Sequence, residues 1–151
     1  MKNLCTSLLG LCLMLFTLCV SAQTIPINEP DYNKPKLFQD LPERIEFNPS
    51  NLLGLFQLQV GQSATIPLTA NFNLIGQVVS TANDHDAISV VIRSTNRPGA
   101  TLTFTKIKDS ENNIKYIGRI ISLQHGDSYE IIYENNQYSF KKKGLYDLVN
   151  E

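Results

Sequence analysis

The sequence predicts a mainly β protein: a single antiparallel β-domain, built as a small barrel, a curled sheet or a sandwich, with one short N-terminal helix. Three observations carry that expectation. From Ser63 onward, β-branched and apolar residues recur with a period of two. The runs are separated by Asn, Asp and Gly clusters suited to tight connections. The last two runs also fit one another as a hairpin in a single register.

The elements follow in chain order. Residues 1–22 read as a signal peptide, with Lys2 as the basic start, Leu8–Val20 as an uncharged apolar run, and small residues at Ser21 and Ala22. That run is short for a bilayer span of roughly 20 residues, and no basic stop-transfer cluster follows, so no stable membrane anchor is expected after cleavage. Residues 23–47 hold Pro26, Pro30, Pro35 and Pro42, and Pro49 follows closely, which argues against a regular helix or a central strand. An extended arm or linker is expected there. Its apolar residues Leu37, Phe38, Leu41, Ile45 and Phe47 imply that it drapes over the domain or docks on a partner. The β-rich domain is then expected over residues 48–151.

"NPSNLLGLFQLQVGQ" predicts a short helix, capped by Asn48 or Ser50, with Pro49 in its first turn and Gly61 closing it. "SATIPLT" puts Ala64, Ile66 and Leu68 on one face, and Pro67 marks an edge strand. Strands are expected in "NFNLIGQVVS", "AISVVIRS", "GATLTFTKI" and "IKYIGRIISL". Apolar residues on both faces, such as Ile88, Val90 and Ile92 against Val91, predict strands covered on both sides. A two-residue turn at Asn135-Asn136 sets Tyr133 opposite Tyr138, Ile131 opposite Phe140 and Glu130 opposite Lys141. That register predicts Tyr129, Ile131, Tyr133, Tyr138 and Phe140 as inward and buried.

Charge and cysteine content exclude several chemistries. Cleavage removes Lys2, one of 13 basic residues, and none of the 14 acidic ones, leaving no surplus to neutralise phosphates. Nucleic acid is therefore not an expected partner, and the run Lys141-Lys142-Lys143 reads as a solvated strand end. Cys5, Cys12 and Cys19 all fall in the leader, so the exported chain has no thiol for disulfides, zinc-thiolate sites or nucleophilic catalysis. Cys12 and Cys19 each follow a leucine, which does not suit lipoprotein acylation.

Asp84, His85 and Asp86 are adjacent, and two carboxylates around an imidazole could serve a metal or an acid–base pair. Neighbouring strand residues point to opposite faces, however, and the composition suits a solvated turn between strands ending near Ser80 and starting near Ala87. His125 and Asp127 flank Gly126, where a turn could aim both side chains one way and let the carboxylate orient a general base. No nucleophile elbow, cysteine or His-Glu-x-x-His completes such a site. Thr101, Thr103 and Thr105 could form a flat hydroxyl face for a glycan, or only the solvent side of a strand. Tyr116, Tyr129, Tyr133 and Tyr138 could line a sugar-stacking groove, or fill a small core.

"YIGRIISLQHGDSYEIIYENNQYSFKKKGLYDLVNE", with the "SAQ" leader end, resembles small bacterial secreted β-rich proteins of unassigned function. Phe72, Gly76 and Val78, then Gly118 and Ile120, then Tyr129 and Ile131 also resemble the β-rich pro-segments of secreted reprolysin-type metallopeptidases. That likeness implies a peptidase-inhibiting segment, but the inhibitory cysteine of those pro-segments has no counterpart here. The expected function is a secreted or periplasmic, non-catalytic domain that binds a protein or glycan, with no cofactor. The alternatives are a small metal-dependent or His/Asp-based hydrolase using Asp84, His85, Asp86, His125 or Asp127, and a pro-segment-like inhibitor.

Overall fold

A computed structural model describes residues 35–144; the expected leader and the first part of the arm lie outside them, as do Tyr32 and Tyr146. Eight strands form one antiparallel sheet: β1 (Arg44–Phe47), β2 (Ser63–Thr69), β3 (Phe72–Asn83), β4 (Ala87–Ser94), β5 (Thr101–Lys108), β6 (Ile114–Ser122), β7 (Asp127–Glu134) and β8 (Gln137–Gly144). Their order is β1-β8-β7-β6-β5-β4-β3-β2, an up-and-down meander curled into a nearly closed barrel. An eight-stranded barrel has an interior just wide enough for side chains or one small ligand. Phe104, Phe140, Tyr129, Leu102, Ile92 and Ile120 are among the fully buried side chains of its core.

Tight curling requires close backbone approach. A Cβ at Gly118 would lie 2.1 Å from the Thr103 carbonyl oxygen, and one at Gly76 2.5 Å from that of Arg93. The registers of β2 on β3 and of β3 on β4 each shift once, between Pro67 and Thr69 and between Val78 and Ser80, as bulges that add twist do. Strand β3 runs to Asn83, three residues past its expected end.

The barrel does not close between β1 and β2. Strand β1 is only four residues long, and Pro67 of β2 has no N–H to offer.

The helix is a 3-10 helix, Pro49–Gln57. Asn48 caps it, its Oδ1 accepting from the Ser50 N–H at 3.0 Å. Three residues per turn put Leu52 and Leu55 on one face, and both are buried. The helix ends well before Gly61, which instead takes φ +93° in the turn into β2. Its Phe56 ring stacks on Phe104 at 5.0 Å.

The segment ahead of the helix packs on the barrel. Arg44–Phe47, within the segment expected as an arm or linker, pairs with Tyr138–Lys141. Before it, Phe38 is fully buried against Tyr129, with ring centroids 5.5 Å apart. Five side chains fasten this segment. The Asp127 carboxylate accepts the Phe38 N–H at 2.7 Å, and the Tyr129 hydroxyl donates to the Pro42 carbonyl. Lys142 donates to the Leu41 carbonyl at 2.8 Å, Arg97 to that of Leu37 at 3.1 Å, and Lys36 to that of His125 at 3.2 Å. Lys142 is thus mostly covered, unlike a solvated strand end. Coverage on both faces is only partial: in β2 burial alternates strictly and in β4 Val90 and Ile92 are buried while Val91 is half-buried, whereas β7 buries Asp127, Ser128 and Tyr129 in succession. The β-branched residues on the outer face suit the pleat without a second covering layer.

The C-terminal hairpin has the expected register, Glu130↔Lys141, Ile131↔Phe140 and Tyr133↔Tyr138. Asn135 and Asn136 take φ 54° and 61°, as a type I′ turn requires. Tyr129, Ile131 and Phe140 are buried, but Tyr133 is 57% exposed, because the neighbouring strand leaves it uncovered. Glu130 forms its ion pair with Lys143, the diagonal neighbour, at 3.7 Å.

Candidate functional site

In an up-and-down meander, successive connections alternate between the two ends. The β3–β4 connection therefore lies at one end with the β5–β6 and β7–β8 connections, and the β6–β7 connection lies at the other. Asp84, His85 and Asp86 occupy the first and His125 and Asp127 the second, separated by strands such as β4, whose eight residues span roughly 25 Å. The two histidines do not share a site.

Asp84, His85 and Asp86 form an exposed turn. The Asp84 N–H donates to the Ala87 carbonyl at 2.8 Å, its Oδ1 accepts the His85 N–H at 2.7 Å, and the Lys108 N–H donates to the Asp86 carbonyl at 2.8 Å. A depression of about 110 Å³ beside His85 and Asp86 is bordered by Lys106 and Lys108, whose positive charges oppose a metal cation. Among the described residues, no three His, Asp or Glu side chains converge as metal ligands.

His125 and Asp127 are split between different partners. His125 Nδ1 hydrogen-bonds the Ser122 hydroxyl at 2.8 Å, while the Asp127 carboxylate binds the Phe38 N–H. A serine beside a histidine is the geometry of an activated nucleophile. Ser122, however, is fully buried, and a Cβ at Gly99 would sit 3.6 Å from its hydroxyl. The pair braces the β6–β7 connection internally, beside Gly99 of the β4–β5 connection, and the buried Ser122 presents no nucleophile to solvent.

Thr101, Thr103 and Thr105 are half-buried, and Thr105 shares a 2.8 Å hydroxyl bond with Ser89 across β4 and β5.

A wider opening than the depression beside His85 lies elsewhere. Strands β6 and β7 pair only from Arg119↔Glu130 to Ser122↔Asp127. Beyond that point, Ile114–Gly118 pairs with β5 alone and Ile131–Glu134 with β8 alone. A cleft of about 590 Å³ opens between the two unpaired edges, a size common in ligand sites. Gly118 sits where the strands part, held close to β5 by its missing Cβ.

Three of the four tyrosines considered from sequence, Tyr116, Tyr133 and Tyr138, line this cleft; Tyr129 is sealed in the core. Tyr116 stacks on Phe104 at 5.8 Å and meets Tyr138 edge-on at 5.6 Å, and Tyr133 leans on Tyr138 at 4.6 Å. The Tyr138 hydroxyl accepts the Tyr116 N–H at 3.2 Å, so a side chain stands where a neighbouring strand's carbonyl would be. Ile114 and Ile117 are about half exposed on the β6 side.

The rim is set by the β5–β6 connection. Asp109 Oδ1 accepts the N–H groups of Glu111 and Asn113 at 3.0 and 2.9 Å, and its Oδ2 lies 3.2 Å from the Lys115 ammonium. The Asn113 N–H, with help from Lys115, holds this carboxyl below the usual carboxylate range, against the opposing effect of partial desolvation. Asp109 therefore stays ionised at neutral pH.

Nothing in the sequence marked Ile114 and Ile117 as exposed, since "IKYIGRIISL" reads as one more apolar-rich strand; their exposure follows from the parting of β6 and β7. Comparison with family models, with curated proteins and with solved structures gives no match.

Proposed function

We propose that the protein is a non-catalytic binding domain exported to the periplasm or the exterior, and that its ligand, a protein or glycan of that compartment, sits in the cleft between β6 and β7. One observation carries the reading: an opening of about 590 Å³, lined by exposed Ile117 and Tyr133, where the sheet ladder stops. Such a combination of apolar walls and a polar rim suits recognition. The separation of His85 from His125 leaves the hydrolase alternative without a shared pocket. The leader-like residues 1–22 support export.

Capture from envelope and secreted fractions tests this, using the tagged chain from Gln23 and its Tyr133→Ala variant side by side. A specific protein or glycan should be retained at micromolar concentration by the first and lost by the second. Equal retention by both would move the site away from the cleft, and retention of nothing would remove the binding reading. Export is checked by the mass of the secreted or periplasmic product, which should begin at Gln23.

A further inference from the structure

We infer that the occupant of the β6/β7 cleft is an extended polypeptide segment, which binds by completing the interrupted ladder. This rests on the reading of the cleft as the binding site and names the chemistry that fits it. The argument begins with the backbone. Ile114–Gly118 and Ile131–Glu134 each pair with a strand along one side only, β5 and β8. Two facing strand edges present alternating N–H and C=O groups, which another peptide backbone matches directly.

The size agrees. A strand residue fills roughly 4.8 Å between strands, 3.4 Å along the chain and 10 Å through the sheet, about 160 Å³. A cleft of about 590 Å³ therefore holds three to four extended residues, close to the length of the open edges. Because β6 and β7 are antiparallel, the inserted segment runs parallel to one and antiparallel to the other.

The aromatic rings argue against a glycan. Tyr116 is covered by Phe104 and Tyr138, and Tyr133 leans on Tyr138, so the rings spend their faces largely on each other. The Tyr138 hydroxyl on the Tyr116 N–H is a stand-in acceptor that an incoming carbonyl displaces. Ile117 and Ile131 favour apolar side chains in the segment, and the carboxylates of Asp109 and Glu111, against the single ammonium of Lys115, favour a basic residue at the rim.

The test uses the chain from Gln23 to Glu151. A displayed library of random heptapeptides is selected against it, and an oligosaccharide array is screened in parallel. The best heptapeptide is synthesised unmodified and with alternate backbone amides N-methylated, which keeps its side chains but blocks the ladder. Expected are an alternating apolar heptapeptide with Lys or Arg at one end, affinity lowered at least about tenfold by N-methylation, and slowed amide exchange at Tyr116 and across Ile131–Glu134. Tyr138→Phe, which removes the stand-in acceptor, should tighten binding by roughly two- to tenfold. Unchanged affinity of the N-methylated peptide, or protection confined to other strands, overturns the inference. Oligosaccharide binding that Tyr133→Ala abolishes overturns it too, yet preserves the cleft as the site. Enrichment of neither class overturns both.

Discussion

The barrel has two interruptions, and they are built differently. Between β1 and β2 the opening of about 410 Å³ is lined by Pro42 and Pro67 and by the charged Arg44 and Glu46. Prolines and charges are how sheet edges are kept from pairing with other chains. Between β6 and β7 isoleucines and tyrosines form the walls and Asp109, Glu111 and Lys115 the rim, and no proline stands among the edge residues 114–118 and 131–134. One gap refuses a further strand, and the other leaves its donors intact. The contrast teaches that an incomplete ladder is not by itself a site; the chemistry of its edges decides.

The first seam is anchored in the core, so breaking its support should have the largest effect. Phe140 pairs with Ile45 of β1 and stacks on Phe47 at 4.6 Å. Phe140→Ala should cost about 3–5 kcal/mol in denaturant unfolding, a large part of the stability of a domain of this size. A loss under about 1 kcal/mol would mean that β1 is not held by the core.

Next comes the segment leading into β1. Burial pushes the Tyr129 phenol well above its usual range, with Glu43, Asp127 and Asp40 adding repulsion. A folded-state value raised above the unfolded one near 10 means that this stabilisation is whole below pH 10 and is lost as pH rises towards the folded value. Thermal unfolding should therefore fall above pH 10, and Tyr129→Phe should flatten that fall while costing about 1 kcal/mol at neutral pH for the lost bond to Pro42. An unchanged alkaline profile would count against the buried phenol.

At the cleft rim the sign reverses. The folded Asp109 carboxyl lies below its ordinary 3.8, so its contribution is present above that value and disappears as pH falls through the lower, folded one. Protection of the Glu111 and Asn113 amides, taken relative to the intrinsic exchange rate at each pH, should fall below about pH 4, and Asp109→Asn should remove most of that dependence. Protection in the variant that follows pH as the wild type's does would show that Asp109 does not hold the loop.

The smallest effect sharpens the contrast most. Tyr133 is 57% exposed and Lys141 is exposed on the outer face. Tyr133→Ala should lower stability by no more than about 1 kcal/mol and Lys141→Ala by about 0.5 kcal/mol or less, while the former removes ligand capture. A destabilisation by Tyr133→Ala comparable to that of Phe140→Ala would make the cleft part of the core instead of a surface.

Features that depend on near neighbours are legible in the local sequence. The period of two in "SATIPLT" specified the face that Ala64, Ile66 and Leu68 bury. Asn135 and Asn136 specified the hairpin register, because few other residues accept positive φ at both turn positions. The tertiary structure decided what depends on distant ones. Phe38, expected to dock either on the domain or on a partner, is enclosed by Asp127 and Tyr129, about ninety residues on. Tyr133 shares the inward face of Ile131 yet lies open, because β6 turns away from it at Gly118. Whether an inward residue is buried depends on what stands across from it, and only the closing of the barrel places that neighbour.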